Sequence, residues 1–453
     1  MLLSLCFLGQ EGTLERTIPW FGLLPLFISM DRHRRDLKWR LLHGLFFGLI
    51  LCCWPLVMAK DGSGLSILDV AETSPIRIGF WILFCVAGGS LLQQGSRLAV
   101  VPGLAVLWTG LEYLQAECIP LAVPWMQLGQ ALKPENPEAQ LAMTAGLAGL
   151  GFTICLVNGA FFLALRERRG SIQLLAALAG TLVVVGMLGT GAMIENSAGP
   201  ENTLRVGLVQ TDEGRNSEHL QLARQLLKDE PQLIFFPADS FTVSSDRYPW
   251  LKEDLQTFAR SENVQLVAGV IARPGDKDSQ DQAAHQTLLH IGSDGSPDDV
   301  TSRYALPLKI EGKSIIVVPD LINHSARLMS RWAASRDGAS LFLVAGGEIR
   351  GGGAYDHLRD RLQAFRAMEM GTWICRTTRH GSSTIVDDRG VRQAVAPRAQ
   401  AWASVRSIPL RSTGAGHSPF ITWGWIIGPG CLTILGVLLC LEIYRRRKKL
   451  FRR

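Results

Sequence analysis

One cysteine, Cys375, stands outside the long apolar stretches of the chain, and its thiol is the side chain best suited to covalent chemistry. A thiol acts as a nucleophile in its thiolate form, which needs a base and a cation close by. Cys375 lies in the apolar run Trp373-Ile374-Cys375, and Arg376 should point to the opposite face of the same strand. We favour a buried structural thiol over a nucleophile, and both interpretations stay open.

Other residues with catalytic side chains lack the spacing that known sites require. Histidines occur at His285, His324, His357 and His380 without a His-x-x-x-His or Gly-x-Ser-x-Gly pattern. The glycine-rich segment 345–353 lacks the Lys-Ser/Thr ending of a phosphate loop. We therefore expect neither a metal site nor a bound cofactor.

The chain is too apolar for an ordinary soluble protein, with 47% hydrophobic residues over 453 positions and a positive mean hydropathy. A membrane helix needs roughly 20 apolar residues. Stretches of about that length are found at 40–58, 78–94, 98–116, 140–165, 172–194 and 421–443, with a shorter one at 17–30. Eight of the nine cysteines lie in or beside these stretches, so the remainder has no disulfide framework.

The first nine residues lack a basic region and a small-residue cleavage site, so they predict a first helix rather than a removable signal peptide. Basic clusters at 31–35, 166–169 and 445–449 predict the cytoplasmic ends of the spans. Residues from about 200 to 418 then lie outside. The basic tail is typical of a stop-transfer signal or a contact for anionic lipid, and we expect no nucleic acid as a partner.

Short β-like runs alternate with helical stretches between 200 and 418, which is typical of an α/β domain with one core. The predicted strands are 204–210, 233–236, 265–270, 315–318, 340–344 and 372–375, with a helix at 217–228 and a solvated turn at 273–286. The sequence predicts three parts: a helical membrane domain over 1–198, an extramembrane α/β domain over 199–418, and a last membrane helix with a basic tail over 419–453.

Short motifs follow one another in a fixed order along both halves. In the membrane half they are Trp20-Phe21 with Leu24-Pro25-Leu26, Leu107-Trp108 with Leu111-Glu112, Pro124-Trp125 with Gly129-Gln130, and Leu156-Val157-Asn158. In the outer half they are Val206-x-Leu208-Val209-Gln210, Leu233-Ile234-x-x-Pro237, His357-Leu358, Arg366-Ala367-x-Glu369-x-Gly371, and Arg376-x-Thr378 with Gly381. Together they resemble the apolipoprotein N-acyltransferase family, the membrane-embedded members of the carbon–nitrogen hydrolase (nitrilase) superfamily. The resemblance implies an α-helical polytopic membrane domain and an extramembrane α/β nitrilase-like domain, an αββα sandwich.

The resemblance also implies a catalytic set of Glu, Lys and Cys. In the family, Glu is the general base, Lys stabilises the oxyanion, and Cys forms a thioester with an acyl chain from phospholipid before the chain passes to a lipoprotein's N-terminal amine. This sequence departs from the pattern at all three positions. Ala238 stands where the family has Glu, and Val318 where it has Cys. The lysine position falls on Ser302 by direct count, or on Arg303 with a one-residue gap.

Two residues offer weak substitutes for the missing groups. Asp239 could replace the base only if the strand end slipped by one residue, because neighbouring strand side chains point to opposite faces. Cys375 could replace the nucleophile only from a different strand. Arg303 carries a planar guanidinium rather than a compact ammonium. The glycine-rich segment 345–353 also replaces a Ser-Asn-Asp type of loop.

Two functions remain open. The first is a catalytically impaired paralogue that keeps a lipid- and lipoprotein-binding groove, for which we expect an apolar pocket without an activated nucleophile. The second is an active N-acyltransferase with altered catalytic residues. Either protein would lie in the inner membrane as a multi-pass protein, with phospholipid and possibly lipoproteins as partners and its outer domain facing the periplasm by analogy. Apolar residues at 248–251 would help that domain to dock on the membrane.

Overall fold

The computed structural model has long helices at both ends of the chain and two β-sheets between them. It describes residues 13–60, 67–94, 97–118, 126–167, 169–194, 202–211, 216–273, 285–300, 306–310, 312–318, 339–346, 353–379, 381–410 and 418–450. The first nine residues and most of the polar stretch 273–286 therefore lie outside the described residues.

The described helices before the sheets are α1 (Thr13–Phe21), α2 (Leu24–Arg32), α3 (Leu37–Lys60), α4 (Ile67–Gln94), α5 (Arg97–Tyr113), α6 (Ala142–Arg166) and α7 (Gly170–Ile194). Among the described residues, four helical segments are long and apolar enough to cross a membrane: Ser74–Gln93, Pro137–Arg166, Gly170–Leu188 and Gly424–Tyr444. They coincide with the spans predicted at 78–94, 140–165, 172–194 and 421–443. The stretches predicted at 40–58 and 98–116 are helical as well, and the chain is a membrane protein.

The single span predicted at 17–30 is wrong, because the chain breaks between α1 and α2. A break leaves backbone groups without helical partners. The buried side chain of Asn158 in α6 satisfies two of them: its Oδ1 accepts from the Leu23 N–H (2.9 Å), and its Nδ2 donates to the Pro19 carbonyl (2.8 Å). A side chain far away in sequence thus holds the break in place.

The strands form two sheets with different arrangements. They are β1 (Asn202–Gln210), β2 (Leu233–Phe235), β3 (Phe241–Ser244), β4 (Gln265–Arg273), β5 (His285–Ile291), β6 (Pro297–Val300), β7 (Leu306–Ile310), β8 (Lys313–Val318), β9 (Leu341–Ala345), β10 (Ile374–Thr377), β11 (Thr384–Val386), β12 (Arg392–Val395) and β13 (Trp402–Leu410). The first sheet has the order β13-β1-β2-β4-β5-β6, with β3 on β4, and the second has the order β12-β11-β10-β9-β8-β7. Strands β1, β2 and β4 are parallel, as are β8, β9 and β10.

Four further helices complete the described fold: α8 (Asn216–Leu226), α9 (Tyr248–Glu262), α10 (Gly353–Met370) and α11 (Pro419–Thr422), ahead of the final membrane helix α12 (Ile427–Leu450). The two sheets pack face to face around one apolar core. Helices α8 and α9 cover the outer face of the first sheet, and α10 covers the outer face of the second. The layers are therefore helix, sheet, sheet and helix, which confirms the predicted αββα sandwich.

Helix α10 joins the sandwich to the membrane helices. Its residues Leu358, Leu362, Phe365 and Met368, at helical spacing, belong to the same apolar core as the membrane helices. Its residues Ala364, Ala367 and Met370 pack on the second sheet. One helix is thus shared between the two halves of the protein.

A buried ionic cluster lies at this junction. Arg366 forms an ion pair with Glu369 and lies 3.8 Å from a carboxylate oxygen of Glu117. Glu369 Oε1 accepts a hydrogen bond from the Leu147 N–H at 2.8 Å. That N–H has no partner within the helix because α6 breaks at Gly146, whose φ is +66°. A Cβ at Gly146 would lie 2.9 Å from Glu369 Oε1. The carboxylate also lies at a new helix N-terminus, which favours negative charge.

Two of the basic clusters meet at the end of α6 away from Leu147. Arg166 Nη2 is 3.4 Å from Asp31 Oδ1, so two of the segments predicted to be cytoplasmic are in contact. Leu147 and Arg166 are separated by about 30 Å along the helix. The sandwich and this basic contact therefore lie at opposite ends of the membrane bundle.

The apolar segment at 248–251 is the first turn of α9 rather than a loop. Trp250 is 71% exposed, whereas Leu251 packs beneath the first sheet. Helix α9 lies in one outer layer of the sandwich, and α10 lies in the opposite one. The layer of α10 is the one that contacts the membrane helices.

We expect Glu369→Ala to lower the free energy of unfolding by about 3–5 kcal/mol, because it leaves Arg366 buried without its nearest acid and the Leu147 N–H without an acceptor. The control is Glu230→Ala, which removes an 83% exposed partner of Arg205 and should cost less than about 1 kcal/mol. Equilibrium unfolding of the full-length variants in detergent measures both. Equal losses in the two variants would show that the buried cluster does not stabilise the junction.

Candidate functional site

The carboxyl ends of the parallel strands meet at one edge of the sandwich. Ligand sites in α/β sheets lie outside such edges. Here the Ala238 N–H, just after β2, donates to the Gly346 carbonyl, just after β9, at 3.3 Å. The Gly346 N–H in turn donates to the Thr377 carbonyl at the end of β10, at 2.8 Å. The first of these main-chain hydrogen bonds thus connects the two sheets where the family's catalytic groups are expected, and the second lies within the second sheet.

Ala238 is the residue that the motifs predict at the position of the family's general base. Its side chain is buried in the core between the two sheets. Directly beside it, the Gly269 N–H donates to the Pro237 carbonyl at 3.1 Å. A Cβ at Gly269 would overlap the backbone of Ala238, so this close approach requires glycine. These contacts hold the backbone at the predicted base position, and the side chain there is only a methyl group.

Val318, at the position of the family's cysteine, is the last residue of β8. Strand alternation turns it toward α10, where it is fully buried with Val344 and Ile374. Ala238 belongs to the core between the sheets instead. The structure therefore does not bring these two side chains together. Ser302 and Arg303, the alternatives for the lysine position, lie outside the described residues.

Asp239 follows Ala238 in a turn closed by a hydrogen bond from the Ser240 N–H to the Pro237 carbonyl (3.3 Å). Its side chain is only 1% exposed. A buried carboxylate at this edge has the right chemistry for a base, although it is one residue beyond the family's position.

Cys375 is fully buried between the sheets, paired in register with Leu343 and Ile385. Burial raises the pKa of the Cys375 thiol. No described base or cation forms a hydrogen bond with it. Arg376 points to the opposite face, as its place in the strand predicts.

The Ser383 hydroxyl also lies at this edge, and it forms hydrogen bonds with two other residues. Its Oγ donates to Gln210 Oε1 (2.7 Å) and accepts from the Thr378 N–H (3.0 Å). Gln210 Nε2 donates to the Pro397 carbonyl at 2.7 Å. These bonds fix the end of β1 against β11, so Gln210, Thr378 and Ser383 have a structural role here.

A buried layer of charges lies between α10 and β10. Arg376 pairs with Asp360 and donates to the Ser382 carbonyl at 2.9 Å. Arg398 Nε lies 2.6 Å from Asp356 Oδ2. Burial raises the pKa of the Asp356 carboxyl, against the opposing effects of Arg376 and Arg398. Sequence analysis missed this layer, although charged residues three and four positions apart on a helix next to an arginine-bearing strand were a usable signal.

The histidines and the glycine-rich segment contribute little to this edge. His357 is exposed, and His285 begins β5. His324, His380 and residues 347–352 lie outside the described residues. Within the described ranges, no group of three or more His, Cys, Asp or Glu side chains could hold a metal ion.

A cleft of about 330 Å³ lies where α10 meets the segment before α6. Its lining includes Lys133, Glu135, His357, Arg361 and Arg392. Arg392 pairs with Glu135 at 3.1 Å, and Arg361 donates to the Gln130 carbonyl at 2.9 Å. This cleft is charged, and it is not the apolar pocket that we expected for a lipid-binding groove.

The membrane helices and the four-layer sandwich define a class: membrane proteins that carry an αββα domain. Residues 5–160 match the Apolipoprotein N-acyltransferase N-terminal domain. The chain is similar to the Apolipoprotein N-acyltransferase of Nitrosomonas europaea, with 24% identity over 342 residues, which cover 64% of this chain and 65% of that protein. It is also similar to that of Shewanella oneidensis, with 22% identity over 397 residues, 76% of this chain and 73% of that protein. The chain thus matches slightly less than two thirds of the Nitrosomonas protein's length.

Among solved structures, the chain is similar to a cysteine-to-alanine mutant of the amidase from Nesterenkonia sp. AN1 in complex with butyramide. The TM-score is 0.39 and the identity 15%, over 50% of this chain and 96% of the amidase. The similarity of the membrane half and of much of the chain to apolipoprotein N-acyltransferases confirms the resemblance drawn from its motifs.

We expect Cys375 to resist a maleimide at pH 8 in the folded protein, because it is buried and its pKa is raised, whereas the thiolate is the reactive form. The measurement is mass spectrometry of a variant that keeps Cys375 as its one cysteine. The control is the same background with Cys375→Ala and Ser261→Cys, which places a thiol on the exposed face of α9. Reaction of native Cys375 as fast as the control would show an accessible thiolate.

The raised pKa of Asp356 predicts the sign of a pH effect. A carboxyl with a raised folded pKa contributes most to stability at low pH, and this contribution is lost as pH rises from its ordinary pKa of about 3.9 through the raised value. The melting temperature of wild type minus that of Asp356→Asn should therefore fall as pH rises through this window. The pKa of Asp294 is lowered, chiefly by a hydrogen bond from the Ser296 side chain. For Asp294→Asn the same difference in melting temperature should therefore rise with pH. The same sign in both variants would contradict the prediction.

Proposed function

We propose that this chain is an N-acyltransferase-like membrane protein that binds phospholipid and lipoprotein without transferring acyl chains. The proposal is carried by the motif comparison, which assigns Ala238 and Val318 to the base and nucleophile positions of the family. A methyl group cannot take a proton, and a valine cannot form a thioester. The two side chains also face different layers of the sandwich.

The residues that could replace the family's glutamate, cysteine and lysine are less suited to catalysis than those groups. Cys375 is buried with a raised pKa and has no described base bonded to it. Asp239 is buried one residue beyond the base position. At the third position, Ser302 lacks positive charge, and Arg303 would present a guanidinium in place of an ammonium. An oxyanion needs a donor placed in advance, so these changes weigh against turnover.

The proposed location is the inner membrane, with the sandwich facing outward. The contact between Arg166 and Asp31, at the end of the bundle away from the sandwich, supports this orientation through the excess of basic residues in cytoplasmic loops. The αββα architecture and the similarity to apolipoprotein N-acyltransferases support phospholipid and lipoprotein as partners. The charged cleft beside α10 would suit the polar part of such a partner rather than its acyl chains.

The test incubates the purified full-length protein with phospholipid and a diacylglyceryl-cysteine lipopeptide, and follows the mass of the peptide. We expect saturable binding of the lipopeptide and no gain of an acyl chain. Cys375→Ala is run beside the wild type. A gain of one acyl chain would establish the alternative, an active N-acyltransferase with altered residues. Loss of that gain in Cys375→Ala would then identify the nucleophile, and absence of lipopeptide binding would overturn the binding role.

A further inference from the structure

One face of α10 forms the floor of the charged cleft. His357, Asp360, Arg361 and Ala364 all line it, at the spacing of a single helix face. From the first to the last of these residues the helix advances about 10 Å, at roughly 1.5 Å per residue. An extended chain advances about 3.3 Å per residue, so the floor has the length of about three residues of an extended peptide. The cleft volume of about 330 Å³ lies at the lower end of the range for ligand pockets, about 300–1,000 Å³.

The lining carries an excess of positive charge. Its charged members are three basic and two acidic residues: Lys133, Arg361, Arg392, Glu135 and Asp360. Asp360 is already paired with Arg376, which extends from β10 behind the cleft. Within the lining, Glu135 alone then opposes the three basic side chains. The cleft therefore favours an anionic partner.

Strand β12 forms one side of the cleft through Arg392. It is the last strand of its sheet, and among the described strands it is hydrogen-bonded to β11 alone. Three of its four residues are exposed. Arg392 lies opposite Val386, which packs beneath α10, so the Arg392 side chain is on the α10 face of the sheet. An exposed edge strand presents main-chain N–H and C=O groups to which a further strand can be added.

We infer that this surface binds an extended acidic segment of a partner protein. The segment pairs with the open edge of β12 through main-chain hydrogen bonds, and every second side chain points into the cleft. Carboxylates at those positions meet Arg361 and Arg392, because a guanidinium matches a carboxylate with two parallel hydrogen bonds. The exposed Val391, just before β12, and Val395, at its end, add apolar contacts. The partner is recognised by its peptide chain rather than by a lipid, so the inference goes beyond the proposed function.

The test measures binding of a fluorescent peptide of alternating Glu and Val residues to the full-length protein in detergent, by fluorescence anisotropy. We expect saturable binding by the wild type. The same peptide with Gln in place of Glu should bind at least about tenfold more weakly, because charge-assisted contacts are lost. The acidic peptide methylated on its backbone nitrogens should also bind at least about tenfold more weakly, because it cannot donate hydrogen bonds to β12.

Two variants change the charge of the cleft in opposite directions. Arg392→Gln should weaken binding of the acidic peptide by about fivefold or more, because a guanidinium contact is removed. Glu135→Gln should strengthen binding by about twofold or more, because Arg392 no longer pairs with an acid of the protein itself. The control is Arg205→Gln, since Arg205 is 39% exposed like Arg392 and pairs with Glu230 on the first sheet. This variant should bind the peptide like the wild type.

Several outcomes would overturn the inference. They are absence of saturable binding, equal affinity for the Glu and Gln peptides, and equal affinity of Arg392→Gln and Arg205→Gln. Unchanged binding of the methylated peptide would overturn the pairing with β12. Displacement of the peptide by dihexanoylphosphatidylglycerol at equal concentration would assign the cleft to a lipid headgroup instead. The probe carries no lipid, so each of these outcomes is distinct from the outcome of the lipopeptide test of the proposed function.

Discussion

The buried contact of Glu369 with Arg366 and the Leu147 N–H is the constraint on which the arrangement of the two halves depends. An ion pair this deep stabilises only when its geometry is satisfied, and removal of one partner leaves an uncompensated charge. Because Glu369 lies on α10, which also forms a layer of the sandwich, a shift of the sheets relative to α6 would break its hydrogen bond with the Leu147 N–H. The break at Gly146 provides that N–H, and a Cβ there would overlap the Phe420 ring and crowd the carboxylate. The position of the carboxyl edge over the membrane follows from this junction.

At that edge the expected acyltransferase site has a main-chain framework around residues that carry no catalytic group. The hydrogen bond from Ala238 to Gly346 and the close approach of Ala238 to Gly269 both use main-chain atoms, so they do not depend on the side chain at position 238. Val318 extends the apolar layer under α10. Ala238 and Val318 both fit the packing around them, so the fold does not require a glutamate or a cysteine at these two positions. Stability and catalysis place separate demands on the same strands.

Much of the sandwich could be predicted from local patterns, and the junction could not. The β-branched and apolar runs at 204–210, 265–270 and 315–318 predict strands that the structure contains, and alternation alone predicts opposite faces for Cys375 and Arg376. The break before Leu23 escaped prediction because its stabilising side chain, Asn158, is 135 positions away. Likewise, α10 carries charged residues that local rules assign to solvent. Their partners come from β10 and from the membrane helices.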